Sequence, residues 1–541
     1  MTTETNNTPG VLEFLDPRTL EIANNVRTEA SITKQFIASI AENGVLIPLT
    51  AVRGSDGAVR VRTGQRRTLA AREAGLTSVP VYVLSVDDPY DTVERVIEQI
   101  SENDHRAPLT AAERVFGIQE LLDVGVSATK VAKKLARPAS FVKNAKTVAA
   151  SQPAIDALNQ GQVSLGEAAV IAEFDGNTTA IDRLLRTAGS PRFEQVAAEI
   201  RAAQQQAAEL ERAEKQWADK GFTVLDGQPA SFDPACVPLH SLLRADGAEA
   251  DETDVTVAAQ WAVLLGEDMV FVDNDTGDLV PEENIDWNTE DEPDAQPEDG
   301  LRHFNSVREA TAFVPEYFCL DYAAANLTPT QRFVQLGGVN NFPGVTVDET
   351  GPKWDAPYAG NGAVADPEAE KRERRKVLAL NRLGEAAQGV RRVFVRDLLA
   401  RKTPPKGAAM FVAKCLVSDG YLLTNYKADE VTAELLGVEH IEGYASTRTL
   451  KGIDKLVDGL PAGGDNRAQV ITLGLVLGAL EARTPKDAWR NNPVSHIARA
   501  FGPKEYLQFL ADNGYALAPV EEIMTGKRKA DKVYESWLAE K

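Results

Sequence analysis

The first 84 residues alternate short apolar segments with short helical patterns, and turn residues separate them. The sequence Gly-Ser-Asp-Gly at 54–57 lies between two apolar runs, which is typical of a β-hairpin. Asn43 and Gly44 follow an amphipathic pattern and favour a helix end. The predicted elements are a helix over 33–42, strands over 46–52 and 58–62, a helix over 66–74 and a strand over 79–84. This alternation predicts a small α/β domain.

Helical patterns dominate the chain after this domain. The predicted helices cover residues 92–101, 110–122, 128–135, 139–150, 164–172 and 193–220, and short strand-like runs return at 222–225 and 269–272. We therefore expect a multi-domain α+β protein. The expected divisions are a disordered tail (1–10), the α/β domain (11–107), a helix-turn-helix domain (108–175), a helical connector (176–221), a small mixed region (222–273), an acidic linker (274–300) and a mostly helical C-terminal region (301–541).

Charge is distributed unevenly along the chain. The sequence has 58 Lys and Arg against 80 Asp and Glu, and this net charge of −22 by itself argues against nucleic-acid binding. Residues 245–300, however, contain 19 acidic residues and no Lys or Arg, so the rest of the chain carries only −3. Residues 124–150 contain six basic residues and no acidic one. This local segment indicates a nucleic-acid-binding surface that the overall charge conceals.

Sequence patterns of common enzymes and membrane proteins are missing. There is no GxxxxGK[ST], HExxH or GxSxG pattern, and the three cysteines are too far apart for a CxxC metal site. The first ten residues lack the basic and apolar parts of a secretion signal, and the longest apolar run, 470–480, is shorter than the ~20 residues that span a bilayer. We therefore expect a cytoplasmic, DNA-associated protein that does not contact a membrane.

Residues 63–67, Thr-Gly-Gln-Arg-Arg, lie where a predicted strand ends and a predicted helix begins. Free N–H groups at a helix start bind anions, and the guanidinium groups of Arg66 and Arg67 can each form paired hydrogen bonds to phosphate oxygens. Gly64 lets the backbone approach a ligand closely. The segment predicts a phosphate site, although a solvated basic helix start would have the same pattern.

A second polar segment, Glu-Asn-Asp-His-Arg at 102–106, ends the predicted helix over 92–101. A carboxylate beside a phosphate site can hold Mg²⁺ directly or through water, and an arginine can neutralise phosphate charge. The sequence therefore predicts that Glu102, Asn103 and Arg106 join the same site.

Four ordered segments, residues 25–27, 40–48, 64–71 and 102–106, together resemble the ParB partition-protein family. The resemblance covers about residues 12–175, and it implies a domain that binds CTP with Mg²⁺ and closes a dimer into a clamp on DNA. It implies nucleotide contacts from Arg27, Gly64, Gln65, Arg66, Arg67, Glu102, Asn103 and Arg106, with Glu102 and Asn103 also holding Mg²⁺ through the nucleotide.

Gln65 stands where this family commonly has Glu. An amide cannot act as a carboxylate base or metal ligand, so we expect CTP binding with slow or absent hydrolysis. Whether the protein is an enzyme, a slow CTPase, therefore stays open.

Residues 127–150 predict a helix-turn-helix. We expect Ser127 to cap the first helix, Val131, Ala132 and Leu135 to face inward, and Val142, Ala145 and Val148 or Ala149 to form the buried stripe of the second helix. Ala136 occupies a turn position where glycine is usual, which predicts strained or altered geometry. The expected DNA-contacting residues are Lys133, Lys134, Arg137, Ala139, Ser140, Lys143, Asn144 and Lys146. The alternative is a helical hairpin with a solvated basic face.

The function implied by the resemblance is sequence-specific DNA binding as a CTP-controlled clamp in plasmid, phage or chromosome partition. Its implied partners are double-stranded DNA with a parS-like or operator site, a second copy of the chain and a ParA-type ATPase. Residues 372–401 look like the C-terminal region of long ParB-like proteins of plasmids, phages and integrative elements. A ParB-like transcriptional regulator is an alternative, and so is a ParB-type nuclease, which would need an acidic Mg²⁺ cluster that the four segments do not clearly supply.

Overall fold

The computed structural model describes residues 10–22, 32–54, 56–84, 96–97, 109–290, 294–342, 344–345, 367–424, 427–439, 450–490 and 502–540. The chain divides into two compact units, residues 1–197 and 198–541. The fold is multi-domain α+β, as the sequence predicts. The disordered tail predicted over 1–10 and the helix predicted over 92–101 lie almost entirely outside the described residues.

The first unit begins with a five-stranded sheet. Its elements are β1 (Val11–Leu15), β2 (Glu21–Ile22), α1 (Lys34–Asn43), β3 (Leu49–Arg53), β4 (Val59–Thr63), α2 (Gln65–Glu73) and β5 (Val79–Leu84). The strand order is β1-β5-β3-β4-β2, with β3 antiparallel to β4 and parallel to β5. The predicted hairpin, both helices and the strand over 79–84 are confirmed, whereas β1 is a strand that the sequence pattern did not indicate.

One face of this sheet is buried against the two helices. Val79, Val81 and Val83 are buried along β5, while the alternate residue Tyr82 is exposed, because successive side chains of a strand point to opposite faces. Ile40 from α1 packs into the same apolar cluster. Ala70 and Ala71 of α2 belong to this cluster too, so both helices pack on the same face of the sheet.

A bundle of short helices follows the sheet. Its members are α3 (Ala111–Asp123), α4 (Ala128–Lys134), α5 (Ala139–Ala149), α6 (Gln152–Asn159), α7 (Leu165–Ala172) and α8 (Thr178–Thr187). The next helix, α9 (Phe193–Asp219), has 27 residues, and most of it belongs to the second unit. Capping boxes start two of the bundle helices: Thr110 with Glu113 at α3, and Ser164 with Glu167 at α7. The predicted helices of this region are confirmed, and α6 and α8 are additional.

The second unit contains a five-stranded sheet, whose two long strands, β9 (Trp261–Asp273) and β13 (Val307–Cys319), form a ribbon. The strands pair antiparallel along their whole length, from Trp261 opposite Cys319 to Asp273 opposite Val307. The other elements here are β6 (Thr223–Val224), β7 (Val237–Pro238), β8 (Leu242–Leu243), β10 (Leu279–Val280), β11 (Ile285–Asp286), β12 (Arg302–His303), β14 (Thr328–Pro329) and α10 (Gln331–Gly337).

The prediction of an acidic linker over 274–300 differs from the structure. Val280 and Ile285 from this segment are buried with Phe271 and Val307 of the ribbon. Asp286 is buried, and its carboxylate accepts hydrogen bonds from the backbone N–H of residue 298 (2.9 Å) and of residue 288 (3.1 Å). Burial of a few apolar side chains therefore gives a folded structure to a segment whose composition is typical of a linker. The ribbon also shows that residues 301–329 contain strands, where a mostly helical region was predicted.

Helices make up the rest of the described chain. They are α11 (Pro367–Leu399), α12 (Ala408–Ser418), α13 (Ala428–Leu436), α14 (Leu450–Asp458), α15 (Asp465–Ala482), α16 (Pro503–Asp512), α17 (Pro519–Met524) and α18 (Ala530–Glu540). The apolar run 470–480 lies in α15, buried at the centre of this bundle. A Cβ at Gly474 would lie 2.8 Å from Leu436, so glycine permits the close approach of α13. No helix within the described residues is long and apolar enough to cross a membrane.

A buried ion-pair network joins three helices of this bundle. Arg391 of α11 is 1% exposed, and its guanidinium donates to Glu481 of α15 (2.7 Å) and to Glu521 of α17 (2.7 Å). Tyr506 also donates to Glu481 (2.8 Å), and the carbonyl of Thr484 accepts from Arg391 (2.8 Å). Burial raises the pKa of Glu521, because a dry interior disfavours the charged carboxylate. Arg391 thus pairs with both buried carboxyl groups, and Arg392 also donates to Glu481 (3.2 Å).

Replacing Arg391 with Met should destabilise the second unit by about 3–5 kcal/mol, because the buried carboxyl of Glu521 loses its cationic partner and that of Glu481 keeps only Arg392 (3.2 Å). All six Trp lie beyond residue 197, so urea unfolding followed by Trp fluorescence reports on this unit. Without this cation, the buried carboxyl of Glu521 would hold its proton more tightly in the folded state than in the unfolded chain. The stability of the variant should therefore fall more steeply than that of the wild type as the pH rises above the usual pKa range of a glutamate.

Arg396→Met provides a matched control on the same helix. Arg396 is half exposed and pairs with the exposed Glu434 at 3.3 Å, so its loss should change stability by at most about 1 kcal/mol. Equal losses for the two variants would show that burial of the Arg391 network adds nothing.

Candidate nucleotide site and nucleic-acid interface

The start of α2 is the centre of the predicted nucleotide site. β4 ends at Thr63, and Gly64 forms the N-cap of α2 with φ 101°, in the left-handed region that favours glycine. A Cβ at Gly64 would lie 2.7 Å from the side chain of Leu49, so glycine is required for space as well as for conformation. Because Gly64 supplies no capping side chain, the geometry presents the first N–H groups of α2 at a turn that an anion can approach.

The two arginines of this turn point to different neighbours. Arg66 is exposed, and its guanidinium carbon lies 5.4 Å from the ring centre of Phe36 on α1, a cation–π distance. Arg67 is half-buried and donates from Nη1 to the carbonyl oxygens of Ile47 and of Pro48, the latter at 3.1 Å. Arg66 is therefore the more accessible cation, and Arg67 also fixes the segment before β3. Gln65 is half-buried at the first position of α2.

The structure does not bring the whole predicted site together. Arg27, Glu102, Asn103 and Arg106 lie outside the described residues, so their nucleotide and Mg²⁺ roles stay predictions. Among the described residues, no group of three or more His, Cys, Asp or Glu side chains could hold a metal ion. The contacts of Phe36 and Pro48 were missed by sequence reasoning, because cation–π and carbonyl contacts follow from the packing of α1 and leave no motif.

The predicted helix-turn-helix is present as α4, a turn at 135–138, and α5. Val131, Val142, Ala145 and Val148 are fully buried, which confirms the predicted inward faces. Leu135 is only half-buried. The expected cap is wrong: Ser127 is at the N-cap position of α4 but its side chain makes no capping hydrogen bond. Pro138 is the N-cap of α5, with ψ 150°, so it ends the turn in an extended conformation.

The solvent-facing side of this motif carries the predicted DNA-contacting side chains. Asn144 is half-buried, and Arg137 lies 5.5 Å from the ring of Phe141. The exposed members of the predicted set are Lys133, Lys134, Arg137, Ala139, Ser140, Lys143 and Lys146. Five of these seven are cationic, and Ser140 and Lys143 project from the first turns of α5, which in such motifs contact base edges.

Ala136 has the strained conformation that the sequence predicts. Its φ is 51°, in the left-handed region, where a side chain costs roughly 1–2 kcal/mol. Its N–H donates to the carbonyl of Lys133 (3.3 Å) and the N–H of Arg137 donates to that of Ala132 (3.0 Å), which is the Schellman arrangement that ends helices. Ala136 thus occupies the left-handed position that glycine usually takes after a helix, and the chain turns there toward α5.

Comparison with known proteins finds similarity for part of the first unit. Residues 12–100 match the ParB N-terminal domain family. The chain is 35% identical over 136 residues to the chromosome-partitioning protein Spo0J of Thermus thermophilus, covering 25% of this chain and 49% of that protein. It is 33% identical over 138 residues to the probable chromosome 1-partitioning protein ParB of Deinococcus radiodurans, covering 25% and 46%. The chain thus spans about half the length of these curated relatives.

Two solved structures are also similar to part of the chain. One is C-terminally truncated ParB from Caulobacter crescentus complexed to the centromeric parS site, with 21% identity and a TM-score of 0.25 over 32% of this chain and 91% of that chain. The other is C-terminally truncated ParB from the same organism complexed with CTP-gamma-S, with 24% identity and a TM-score of 0.16 over 33% and 99%.

Replacing Ala136 with Gly should stabilise the helix-turn-helix by about 0.5–1 kcal/mol, because relief of the left-handed strain exceeds the added flexibility of glycine. In the full chain, amide hydrogen exchange of α4 and α5 should slow by roughly two- to fivefold. Ala150→Gly is the control, because Ala150 ends α5 with φ −86° and glycine there should speed exchange. Faster exchange in Ala136→Gly as well would contradict the strain.

Proposed function

Because residues 12–100 match the ParB N-terminal domain family, we propose that this protein is a partition protein that binds a specific DNA site and is controlled by CTP. DNA binding is assigned to α4 and α5, and CTP binding to the start of α2. The observation that carries the proposal is the exposed face of α5 in a chain whose first domain matches this family.

The geometry of α5 supports sequence recognition. Its buried stripe fixes the orientation of the helix, so Ser140 and Lys143 are held on the exposed face rather than free to turn inward. Small and cationic side chains at the start of a helix fit the major groove, where lysine can donate to guanine and serine to either base pair. Lys133, Lys134 and Lys146 are exposed nearby and are suited to phosphate contacts, which position the protein without specifying sequence.

The geometry of α2 supports an anionic ligand. The glycine turn and the exposed guanidinium of Arg66 provide N–H donors and a positive charge on one side of the sheet end. We assign the triphosphate of CTP to these groups, and Mg²⁺ to Glu102 and Asn103 through the nucleotide. Gln65 is consistent with slow hydrolysis, because its amide cannot accept a proton as a carboxylate does.

A clamp mechanism would couple the two sites. In this proposal CTP closes a homodimer around DNA, and a ParA-type ATPase acts as the partner. The relatives named for chromosome partition support this role. A map of binding along the protein's own replicon tests it. Spreading around one site is expected of a clamp, and isolated peaks at promoters would instead indicate a regulator.

Replacing Lys143 or Asn144 with Ala should weaken binding to the mapped site by about 1–3 kcal/mol and leave random DNA nearly unaffected, because these side chains are assigned to base edges. Lys146→Ala is the matched control: loss of a phosphate contact should weaken all sequences alike and reduce the salt slope by about one unit. Titration of both duplexes at several salt concentrations measures each effect. Equal losses on both duplexes for Lys143→Ala would mean that α5 does not recognise sequence.

Replacing Arg66 with Ala should weaken CTP binding about ten- to hundredfold, because a charge-assisted phosphate contact contributes about 1.5–3 kcal/mol. Calorimetry of the full chain with CTP, ATP, GTP and UTP in the presence of Mg²⁺ measures this. Arg53→Ala is the control, since this substitution removes the same charge at the opposite end of the β3–β4 hairpin. If the wild type binds none of the four nucleotides, the nucleotide site is wrong and only the DNA-binding role remains.

A further inference from the structure

A group of cationic side chains lies at the N-terminal part of α11 and at the connection between α17 and α18, within the second unit. Lys376 of α11 contacts Asp531 of α18 at 2.8 Å, which joins the two segments. Arg372 lies one helical turn before Lys376 on α11, and Lys529 lies two residues before Asp531, so both cations flank this contact. The basic cluster consists of Arg372, Arg375, Lys376, Lys527, Arg528, Lys529 and Lys532.

Among the described residues, the basic cluster contains more cations than neighbouring carboxylates. The neighbouring carboxylates are already engaged: Glu373 and Asp531 by Lys376, Glu522 by Arg528, and Glu535 by Lys532. In the part of the chain that the structure describes, no ion pair is formed by the exposed side chains of Arg372, Arg375, Lys527 and Lys529. The cluster is therefore a positive surface on a chain whose net charge is −22.

The start of α18 adds to this positive surface. Lys529 immediately precedes α18, and its carbonyl accepts from Val533 in the first turn of the helix. The N-terminal end of a helix carries a partial positive charge, so it strengthens the attraction of the adjacent cations for an anion. Arg372 and Lys376 are one helical turn apart on α11, so the two segments together present cations over more than one phosphate-sized position.

The composition of the surface favours DNA over an acidic protein. Protein interfaces contain a core of apolar side chains, whereas contacts to the DNA backbone are made by Lys and Arg. Among the described residues, none of the large exposed apolar side chains belongs to 372–376 or 525–532. Duplex DNA offers a dense row of phosphates, and each cation that neutralises one releases a counter-ion.

We propose that the basic cluster is a second DNA-contacting surface, which binds the phosphate backbone of duplex DNA without regard to sequence. This proposal rests on the proposed DNA-binding function, but the basic cluster is independent of the base contacts assigned to α5. The surface increases the affinity of the chain for all DNA and contributes nothing to the choice of site.

The test is a full-length triple variant, Arg372→Ala, Arg375→Ala and Lys529→Ala, titrated with a random-sequence duplex and with the mapped site at several salt concentrations. These three side chains make no ion pair within the described residues, so the fold should persist, and circular dichroism checks this. The salt slope should decrease by about two to three units on both duplexes. The ratio of the two affinities should stay unchanged.

Two control variants make the test specific. The first control is a triple variant that preserves the charge, Arg372→Lys, Arg375→Lys and Lys529→Arg. Its salt slope should remain that of the wild type. The second control removes the same charge from exposed positions before α12, by Arg401→Ala, Lys402→Ala and Lys406→Ala. This variant should leave the salt slope nearly unchanged. An equal decrease in this second control would show a general charge effect and overturn the assigned surface.

The outcomes separate this proposal from the proposed function. A salt slope of the triple variant equal to that of the wild type overturns the second surface, whatever α5 does. Loss of binding to a polyglutamate peptide, with DNA binding unchanged, also overturns it and identifies an acidic protein ligand. A wild type that does not distinguish the mapped site from random DNA would instead refute sequence recognition by α5, while a reduced slope in the triple variant would still support the basic cluster.

Discussion

The guanidinium of Arg391 is the interaction on which the C-terminal bundle depends. It lies where α11, α15 and α17 meet, and it satisfies two carboxyl groups that no water can reach. A buried charge without a partner is expensive, so these three helices can pack only in the arrangement that brings Glu481 and Glu521 to Arg391. The position of α11 then matters for the basic cluster, since the same helix carries Arg372 and Lys376 at its other end.

In the first unit, the backbone conformation at two turns sets the direction of the helices that carry the proposed sites. At Gly64 and at Ala136 the chain adopts a positive φ, and each turn directs the start of a helix toward solvent. Gly64 meets this requirement without strain, whereas Ala136 meets it with a side chain that costs free energy. Both proposed sites are therefore helix starts held by turns, with charged side chains added around them. Sequence recognition is assigned to α5, and sequence-independent attraction to lysines and arginines on separate segments.

Local signals explain which parts of the fold could be predicted. The α2 turn, the β3–β4 hairpin and the helix-turn-helix were predicted because glycines, apolar spacing and charge act within a few residues of one another. The β9–β13 ribbon was not, because its pairing joins residues more than thirty positions apart and the intervening segment is acidic. The capping role of Ser127 was wrong, because a side chain suited to a cap need not form the hydrogen bond.

The sequence by itself determined the α/β character of the first domain, the resemblance of its segments to the ParB family and the basic face of α5, since each depends on residue type and short spacing. Only the tertiary structure decided that Arg66 faces Phe36 while Arg67 binds the carbonyls before β3, although the two arginines are adjacent. Only the tertiary structure joined Lys376 to Asp531, which are 155 residues apart. The physical reason is that side-chain direction and long-range proximity follow from the packing of whole elements, which no local pattern encodes.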